Sequence, residues 1–213
     1  PVYYPFLQAV TNNERKLITS DLVNENGNYT IDFDDFEKKI VDNDVKAFIL
    51  CSPHNPVGRV WRKEELKEML EICHRHHVYV ISDEIHGDLA LGDKKYIPFA
   101  KLASPLGVRV LTGAAASKTF NIPGLTTAFW IVPDEKLRLG LVDRLQAYKV
   151  TETNLLGLVA TKACYTHGEA WLDELKQYLF YNAYFNNTLK SWNKNEKNLK
   201  RKADLNWAET LKK

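Results

Sequence analysis

Four side chains that could do chemistry together stand in loops that directly follow apolar runs of the sequence. They are an amide, a carboxylate, an imidazole and an amine: Asn55, Asp83, His86 and Lys118. Lys118 follows the small residues "GAAA", and an amine in a small, apolar site can have a lowered pKa that favours Schiff-base chemistry. A carboxylate in the same cleft suits a pyridinium nitrogen, and an amide suits a phenolic oxygen. With the hydroxyl of Ser117 placed for a phosphate group, the set predicts one cofactor, pyridoxal phosphate.

Each of these residues has a plainer interpretation when it is taken alone. A single aspartate after a strand is usually a helix cap or a turn residue, and a single lysine is usually exposed at the surface. The prediction rests on the combination of Asn55, Asp83 and Lys118, which follow three separate predicted strands in this order along the chain. It therefore depends on the elements that position them.

Four apolar runs predict the strands of one sheet. They are rich in β-branched and aromatic residues and cover residues 45–51, 78–82, 108–112 and 126–132. Near-continuous apolarity of this kind is typical of strands that are covered on both faces, as in parallel sheets. Because ligands bind beyond the carboxyl ends of the strands in an open α/β sheet, we expect the loops after the first three runs to converge at one edge.

Helical patterns lie between and after these runs, and their alternation with the strands predicts an α/β fold. Residues 62–77 carry an apolar stripe with the i, i+3, i+4, i+7 spacing of an amphipathic helix. The other predicted elements are a short strand at Tyr29–Ile31, a helix from about Asp34, and helices at 134–149, 154–165 and 169–192, of which 154–165 is expected to be the more buried.

Composition and charge argue against several classes of function. The 213 residues are 45% hydrophobic and carry a net charge of +2 with both signs interspersed, so no nucleic-acid partner is expected. No apolar run approaches the roughly 20 residues of a membrane helix, and three cysteines are typical of a reducing compartment, so we expect a cytoplasmic protein without a membrane partner. "CHRHH" (73–77) has no second ligand pair at a suitable spacing, so no metal site is predicted. The basic tail at 195–213 is expected to be a solvated end.

Three motifs carry a family resemblance. In this order and at these separations, "LCSPHNPVGRVW", "VISDEIHGDL" and "SKTFNIPGL" resemble fold-type I pyridoxal-phosphate enzymes of the class I/II aminotransferase superfamily. They resemble most the MalY/PatB branch of cystathionine β-lyase-like C–S lyases, which the opening "PVYYPF" also matches. The resemblance runs from Pro1 to about Asn182 and implies a three-layer α/β/α fold with a mostly parallel central sheet. It further implies a partial large domain at 1–165, followed by a linking helix and the start of a small domain at 166–213.

The resemblance assigns roles to the polar side chains of the three motifs. Lys118 is implied to hold the cofactor as a Schiff base and to act in catalysis, and Asp83 to pair with the pyridine nitrogen. Asn55 is implied to bind the phenolic oxygen of the cofactor ring, and Ser117 to contact its phosphate.

Three further cofactor-binding positions follow from the same resemblance. Tyr3 is implied to stack on the cofactor ring, with Tyr4 nearby. His86 stands where ordinary aminotransferases carry a tyrosine three residues after the aspartate, and whether it takes over that tyrosine's contact is left open.

The implied activity is a C–S β-lyase that acts on sulfur amino acids, releases pyruvate, ammonia and a thiol, and assembles as a homodimer. An amino acid aminotransferase is the alternative, because both reactions use every residue named above, and a truncated non-catalytic remnant is another. We expect a central fragment, since the chain starts at the tyrosines, without the upstream turn that holds the phosphate in the family. No residue can be assigned as the arginine that binds the substrate carboxylate, which the family carries in its small domain.

Overall fold

The computed structural model describes residues 1–195, with side-chain surroundings as far as residue 185. Its helices and strands are, in chain order, α1 (Pro5–Asn12), β1 (Val23–Glu25), β2 (Asn28–Thr30), α2 (Phe33–Asp42), β3 (Ala47–Cys51), α3 (Lys63–Arg75), β4 (Tyr79–Asp83), α4 (Phe99–Ala103), β5 (Val110–Ala114), α5 (Ala116–Thr119), β6 (Phe129–Ile131), α6 (Glu135–Ala147), α7 (Leu155–His167) and α8 (Glu169–Asn195).

The central sheet has the strand order β3-β4-β5-β6. The pairs β3–β4 and β4–β5 are parallel, and β6 lies antiparallel to β5 at the edge. Helices flank this sheet, so the predicted α/β fold with a mostly parallel sheet is confirmed. The expectation that 126–132 is one more covered parallel strand is wrong, because β6 is antiparallel and its three residues are all exposed. The connection from β5 turns back through α5 at the same edge, and such a return joins antiparallel neighbours without a crossover helix.

The core lies where β3, β4 and β5 meet the helices α2, α3 and α4. Its least exposed side chains come from the centres of the strands and the apolar stripes of the helices, and include Leu50, Leu66, Leu70, Val80, Phe99 and Val110. The predicted helix at 62–77 is confirmed as α3, and its stripe faces this core as helical periodicity requires. The packed core gives the carboxyl ends of the three parallel strands a rigid support.

Side-chain caps fix the starts of three helices. Asp32 accepts a hydrogen bond from the Asp35 N–H at 2.9 Å, and Asp134 accepts one from the Leu137 N–H at 2.7 Å. Asn154 caps α7 in the same way through the Gly157 N–H at 2.7 Å. Short polar side chains at this position satisfy backbone donors that the first turn leaves unpaired.

Two predictions for the outer parts of the chain are corrected. The helix at 154–165 is present as α7, but it is not the more buried helix, because Leu155, Leu156 and Val159 are all exposed in the described structure. Apolar residues around a whole helix predict burial, yet α7 packs against α5 and α8 and leaves these side chains uncovered within the described residues. The short strand predicted at 29–31 is present as β2, one residue earlier, and pairs with β1 in a hairpin that the sequence had not indicated.

The long C-terminal helix begins at Glu169, close to the predicted division between 1–165 and 166–213, and that division stays a prediction. The predicted solvated tail at 195–213 lies outside the described residues apart from its first. Within residues 1–195, none of the helices combines the length and the apolarity that crossing a bilayer would require.

Candidate active site

The parallel strands bring the ends of three loops to one edge of the sheet. Cys51 at the end of β3 is the register partner of Asp83, and Asp83 is the register partner of Gly113 on β5. The backbone pairing continues beyond the strands, since the Ser52 N–H donates to the Asp83 carbonyl and the Glu84 N–H to the Gly113 carbonyl, both at 2.9 Å. The loops that carry Asn55, His86 and Lys118 therefore leave the sheet side by side, as the sequence predicts.

The loop after β3 is folded tightly around Asn55. The His54 carbonyl accepts from the Gly58 N–H at 2.8 Å, and the His54 N–H donates to the Arg59 carbonyl at 2.7 Å. Gly58 has φ +72°, a left-handed conformation that glycine adopts without strain. The thiol of Cys51 accepts from the Asn55 N–H at 3.3 Å, and burial raises the pKa of that thiol to about 11. Cys51 thus stays a neutral thiol near pH 7 and anchors the backbone of Asn55.

His54 connects this loop to the start of the chain. Its buried ring lies with Nε2 at 2.9 Å from the Pro1 carbonyl oxygen and packs edge-on against Trp61 at 5.4 Å between centroids. Burial lowers the pKa of His54, which favours the neutral ring. The contact with Pro1 brings the first residues of the chain beside the Asn55 loop.

Tyr3 and Tyr4 precede α1 in this N-terminal segment. Both are exposed, and the ring of Tyr3 packs against Tyr4 and Phe6, with centroid distances of 5.8 and 5.5 Å. The structure places them near the Asn55 loop through Pro1, and their roles toward a cofactor stay predictions.

The charges of both Asp83 and Lys118 act on His86. Burial lowers the pKa of His86, the Asp83 carboxylate opposes that shift, and the Lys118 ammonium adds to it. The Asp83 carboxylate is oriented by the Ile85 N–H, which donates to Oδ1 at 3.1 Å. A carboxylate and an amine from different strand ends therefore both influence one half-buried imidazole.

The turn α5 presents Lys118 and Ser117. Lys118 is exposed, Ser117 is half-buried, and the preceding Ala115 and Ala116 are buried. A Cβ added at Gly113 would lie 3.2 Å from the ring of Trp130 on β6. Packing against Trp130 therefore favours glycine at 113, a reason that adds to the access to Lys118 predicted from the sequence.

A buried carboxyl next to Asp83 was not predicted from the sequence. Glu84 is 3% exposed and accepts from the Ser82 hydroxyl at 2.6 Å, from the Phe99 N–H at 3.0 Å, and from the Tyr96 hydroxyl. Burial raises the pKa of Glu84, and the neighbouring Asp83 adds to that shift. Glu84 fastens the segment 96–99 to the strand end that carries Asp83.

Glu84→Ala is expected to lower the free energy of unfolding by about 3 kcal/mol, because two hydroxyls and one N–H lose their buried acceptor. Urea denaturation at neutral pH measures the loss. Glu68→Ala, at an exposed position of α3, is the control and should change stability by less than about 0.5 kcal/mol. An equal effect of the two substitutions would contradict the buried role of Glu84.

The raised pKa of Glu84 also predicts a pH dependence. The folded state favours the protonated carboxyl, so its contribution relative to Glu84→Gln is fully present below the ordinary value of 4.5. The contribution is lost as the pH rises through the raised pKa, and denaturation of both proteins at a series of pH values measures the difference. A stability difference between wild type and Glu84→Gln that grows with pH would contradict a raised pKa of Glu84.

A cavity of about 400 Å³ opens beside the converging loops. Asn55 and His86 line it together with Leu89, Leu91 and Lys94. Asp83 and Lys118 are outside its lining, so among the described residues this cavity adjoins the polar group and does not enclose it.

The donor set fits pyridoxal phosphate. An amine for covalent attachment, a carboxylate for the pyridine nitrogen and an amide for the phenolic oxygen lie at one sheet edge, with the Ser117 hydroxyl beside the amine. No cluster of three or more His, Cys, Asp or Glu side chains within the described residues could hold a metal ion.

Comparison with known proteins identifies the family. The model of the family described as aminotransferase class I and II matches residues 1–191. Cystathionine beta-lyase PatB of Bacillus subtilis (strain 168) is 44% identical over 179 residues, which cover 84% of this chain and 46% of PatB. The chain thus spans about half the length of this curated relative.

Two solved structures of similar proteins support the same family assignment. The pyridoxal-phosphate-bound C–S lyase of Staphylococcus hominis matches with a TM-score of 0.79 and 38% identity, over 89% of this chain and 48% of that one. Cystalysin of Treponema denticola, whose structure contains pyridoxal 5'-phosphate, matches with a TM-score of 0.79 and 39% identity, over 82% and 44% of the two chains. The resemblance predicted from the three motifs is confirmed, and the chain belongs to the aminotransferase class I and II family.

Proposed function

We propose that this chain holds pyridoxal phosphate at Lys118 and forms part of a C–S β-lyase that acts on sulfur amino acids. The observation that carries the proposal is the register of Cys51, Asp83 and Gly113, which makes the loops bearing Asn55, His86 and Lys118 leave the sheet side by side at one edge. The similarity to a cystathionine beta-lyase and to the solved structure of a C–S lyase supports the reaction class.

Each side chain has a defined task in this proposal. The Lys118 amine attaches the cofactor covalently and, once released by the substrate amine, takes up the proton from the substrate Cα at its Nζ. The Ile85 N–H occupies Oδ1 of Asp83, so Oδ2 can accept from the pyridine N–H of the cofactor. Asn55 donates to the phenolic oxygen, and Ser117 binds the phosphate. Bound pyridoxal phosphate would supply the electron sink that makes removal of the Cα proton possible.

His86 acts as a neutral donor in the proposed site. Because its pKa is lowered from 6.5, the imidazole is largely uncharged at neutral pH and offers one N–H. A neutral ring next to Lys118 also avoids a second positive charge beside the amine that must accept a proton. Tyr3 covers one face of the cofactor ring in this proposal, with Tyr4 beside it.

The proposed overall reaction balances without an oxidant. A sulfur amino acid with sulfur on Cβ plus one water gives a thiol, pyruvate and ammonia. The Cα proton leaves to Lys118 and the C–S bonding electrons leave with the sulfur, so no second substrate is needed. An aminotransferase uses the same residues but requires a keto acid acceptor.

The test uses the full chain incubated with pyridoxal phosphate. We expect an absorbance band near the edge of the visible range, a covalent adduct that borohydride fixes, and mass spectrometry that locates it on Lys118. Cystathionine or cysteine should then give pyruvate and ammonia without a keto acid. Product formation that depends on a keto acid supports the aminotransferase instead, and absence of the band supports the non-catalytic remnant.

The proposal extends to assembly and location. We propose a homodimer, supported by the exposed apolar side chains of α7, and sedimentation of the same sample as a monomer would contradict it.

We propose that the protein is located in the cytoplasm, supported by the free state of Cys51, Cys73 and Cys164. An intermolecular disulfide in protein isolated from cells would contradict this location.

A further inference from the structure

One hydrogen bond ties the loop after β4 directly to the turn after β5. The Thr119 hydroxyl donates to Oδ2 of Asp88 at 2.9 Å. Asp88 lies two residues after His86, in the single helical turn Gly87–Leu89, and Thr119 directly follows Lys118. The proposed function gives neither residue a task.

The bond is built to resist displacement from the Thr119 side. Thr119 is 0% exposed, so its hydroxyl cannot exchange Asp88 for water. Hydrogen bonds to charged acceptors are the stronger class, and a buried donor that loses its acceptor keeps the full cost of desolvation.

The Asp88 side is fixed as well. A Cβ at Gly87 would lie 2.7 Å from the ring of Tyr96, so Tyr96 packs directly onto the turn that carries Asp88. The hydroxyl of Tyr96 is in turn bound by the buried Glu84. Asp88 is therefore held between the sheet edge and the 96–99 segment, with its carboxylate directed at α5.

The turn α5 needs such an external tie. It has four residues, and a helix of one turn has little stability of its own. The ring of Phe120 packs against Tyr165 and Trp171 at 5.7 and 5.9 Å between centroids, and the Tyr165 hydroxyl approaches the same Asp88 oxygen at 3.5 Å. Burial, together with the Asp88 charge, raises the pKa of Tyr165 to about 12, so this phenol remains a donor.

We propose that Asp88 is a positioning residue which, through Thr119, fixes the turn bearing Lys118 against the strand end bearing Asp83 and His86. The tie would set the separation between the Lys118 amine and the Asp83 carboxylate, the two groups proposed to hold the cofactor. The proposal rests on the proposed function for its purpose, while the positional effect can be measured without any cofactor.

The central variant is Thr119→Val, which removes the hydroxyl and keeps the β-branched shape. Thr119→Ser keeps the hydroxyl and is the rescue variant. Thr112→Val is the matched control, because Thr112 is also a buried threonine and its hydroxyl has no partner in the structure. These three variants leave the charges of Asp83, Asp88 and Lys118 unchanged.

The positional readout is the pKa of His86 in the cofactor-free full chain, followed by NMR of its ring protons. The Lys118 ammonium lowers this pKa, so release of the turn in Thr119→Val should raise it. Thr119→Ser should restore the wild-type value, and Thr112→Val should leave it unchanged. A role limited to overall stability would not move a titration measured well below the melting temperature.

The second readout is capture of pyridoxal phosphate at Lys118, measured by the absorbance band and by the borohydride-fixed adduct. Thr119→Val should weaken capture about tenfold, the size of one charge-assisted hydrogen bond, and Thr119→Ser should recover most of it. Capture by Thr119→Val equal to wild type would overturn the proposal, and so would an equal loss in Thr112→Val.

The two readouts separate the possible failures. If the wild-type chain captures no cofactor, the proposed function fails, and the His86 titration alone decides whether Asp88 positions the turn. An unchanged His86 pKa in Thr119→Val overturns the proposal that Asp88 positions the turn. If Thr119→Val does not fold, Asp88→Asn is measured in its place. Asp88→Asn should weaken capture of pyridoxal phosphate several-fold relative to wild type, because the charge of the acceptor is lost. Full capture by Asp88→Asn would overturn the proposal.

Discussion

Lys118→Ala is expected to abolish covalent capture of pyridoxal phosphate and the absorbance band that accompanies it. The amine is the group that would attach the cofactor, and alanine offers no nucleophile in its place. The same substitution removes the proposed base at the substrate Cα, so any residual proton exchange there should fall by a factor of about 10² to 10⁴. Mass spectrometry after borohydride treatment measures attachment, and exchange of the Cα proton in heavy water measures proton removal.

Lys94→Ala is the matched control for this prediction. Lys94 is another exposed lysine, and it lines the cavity that Asn55 and His86 also line. Its removal should leave attachment at Lys118 intact. A borohydride-fixed adduct of normal yield in Lys118→Ala would show that the cofactor attaches elsewhere and would sink the assignment.

The substitution has a further effect that needs no cofactor. The Lys118 ammonium lowers the pKa of His86, so Lys118→Ala should raise that pKa toward the ordinary value of 6.5. An unchanged His86 titration would mean that the amine and the imidazole are farther apart in solution than in the structure.

The polar residues of the site were predictable because the strands behind them have a strong and simple pattern. Three apolar runs predict parallel strands, and each is followed by a loop that carries Asn55, Asp83 or Lys118. The carboxyl ends of parallel strands meet at one edge of the sheet. The structure agrees with that rule, because Cys51, Asp83 and Gly113 lie in register at the carboxyl ends of β3, β4 and β5. Lys118 was recognisable for the additional reason that small residues precede it.

The remaining features have no local signal. Glu84 is separated from Tyr96 and Phe99 by a loop, and Asp88 is separated from Thr119 by 31 residues, so no spacing rule connects either set. A charged residue after a strand also predicts exposure, and burial of Glu84 becomes favourable only because three donors reach it.

The errors at β6 and α7 have a related cause. Apolarity predicts that a segment will be covered, but it contains no information about the direction of a strand or about what provides the cover. Trp130 and Leu156 are exposed in the described structure although their segments read as buried ones. Direction and cover are set by the connections and by the packing partners, which single-sequence patterns do not encode.

Asp83→Asn is expected to reduce removal of the substrate Cα proton by a factor of about 10² to 10³, the usual effect of deleting one preorganised electrostatic partner. Asparagine keeps an oxygen that can accept from the Ile85 N–H, so the loop should retain its shape. What is lost is the negative charge that would hold the pyridine nitrogen protonated, and with it the capacity to accept electrons from Cα. Asp93→Asn, at a side chain that is 91% exposed, is the control for loss of one charge.

Two titrations in the cofactor-free chain distinguish this electrostatic role from a structural one. The Asp83 charge raises the pKa of His86, so Asp83→Asn should lower that pKa further, opposite in sign to Lys118→Ala. The same charge contributes to the raised pKa of the Cys51 thiol, so that pKa should fall from about 11 in the variant. Opposite shifts of one imidazole on removal of a carboxylate and of an amine are expected if both charges lie near His86. An unchanged His86 pKa in either variant would place that charge away from the imidazole and contradict the proposed site.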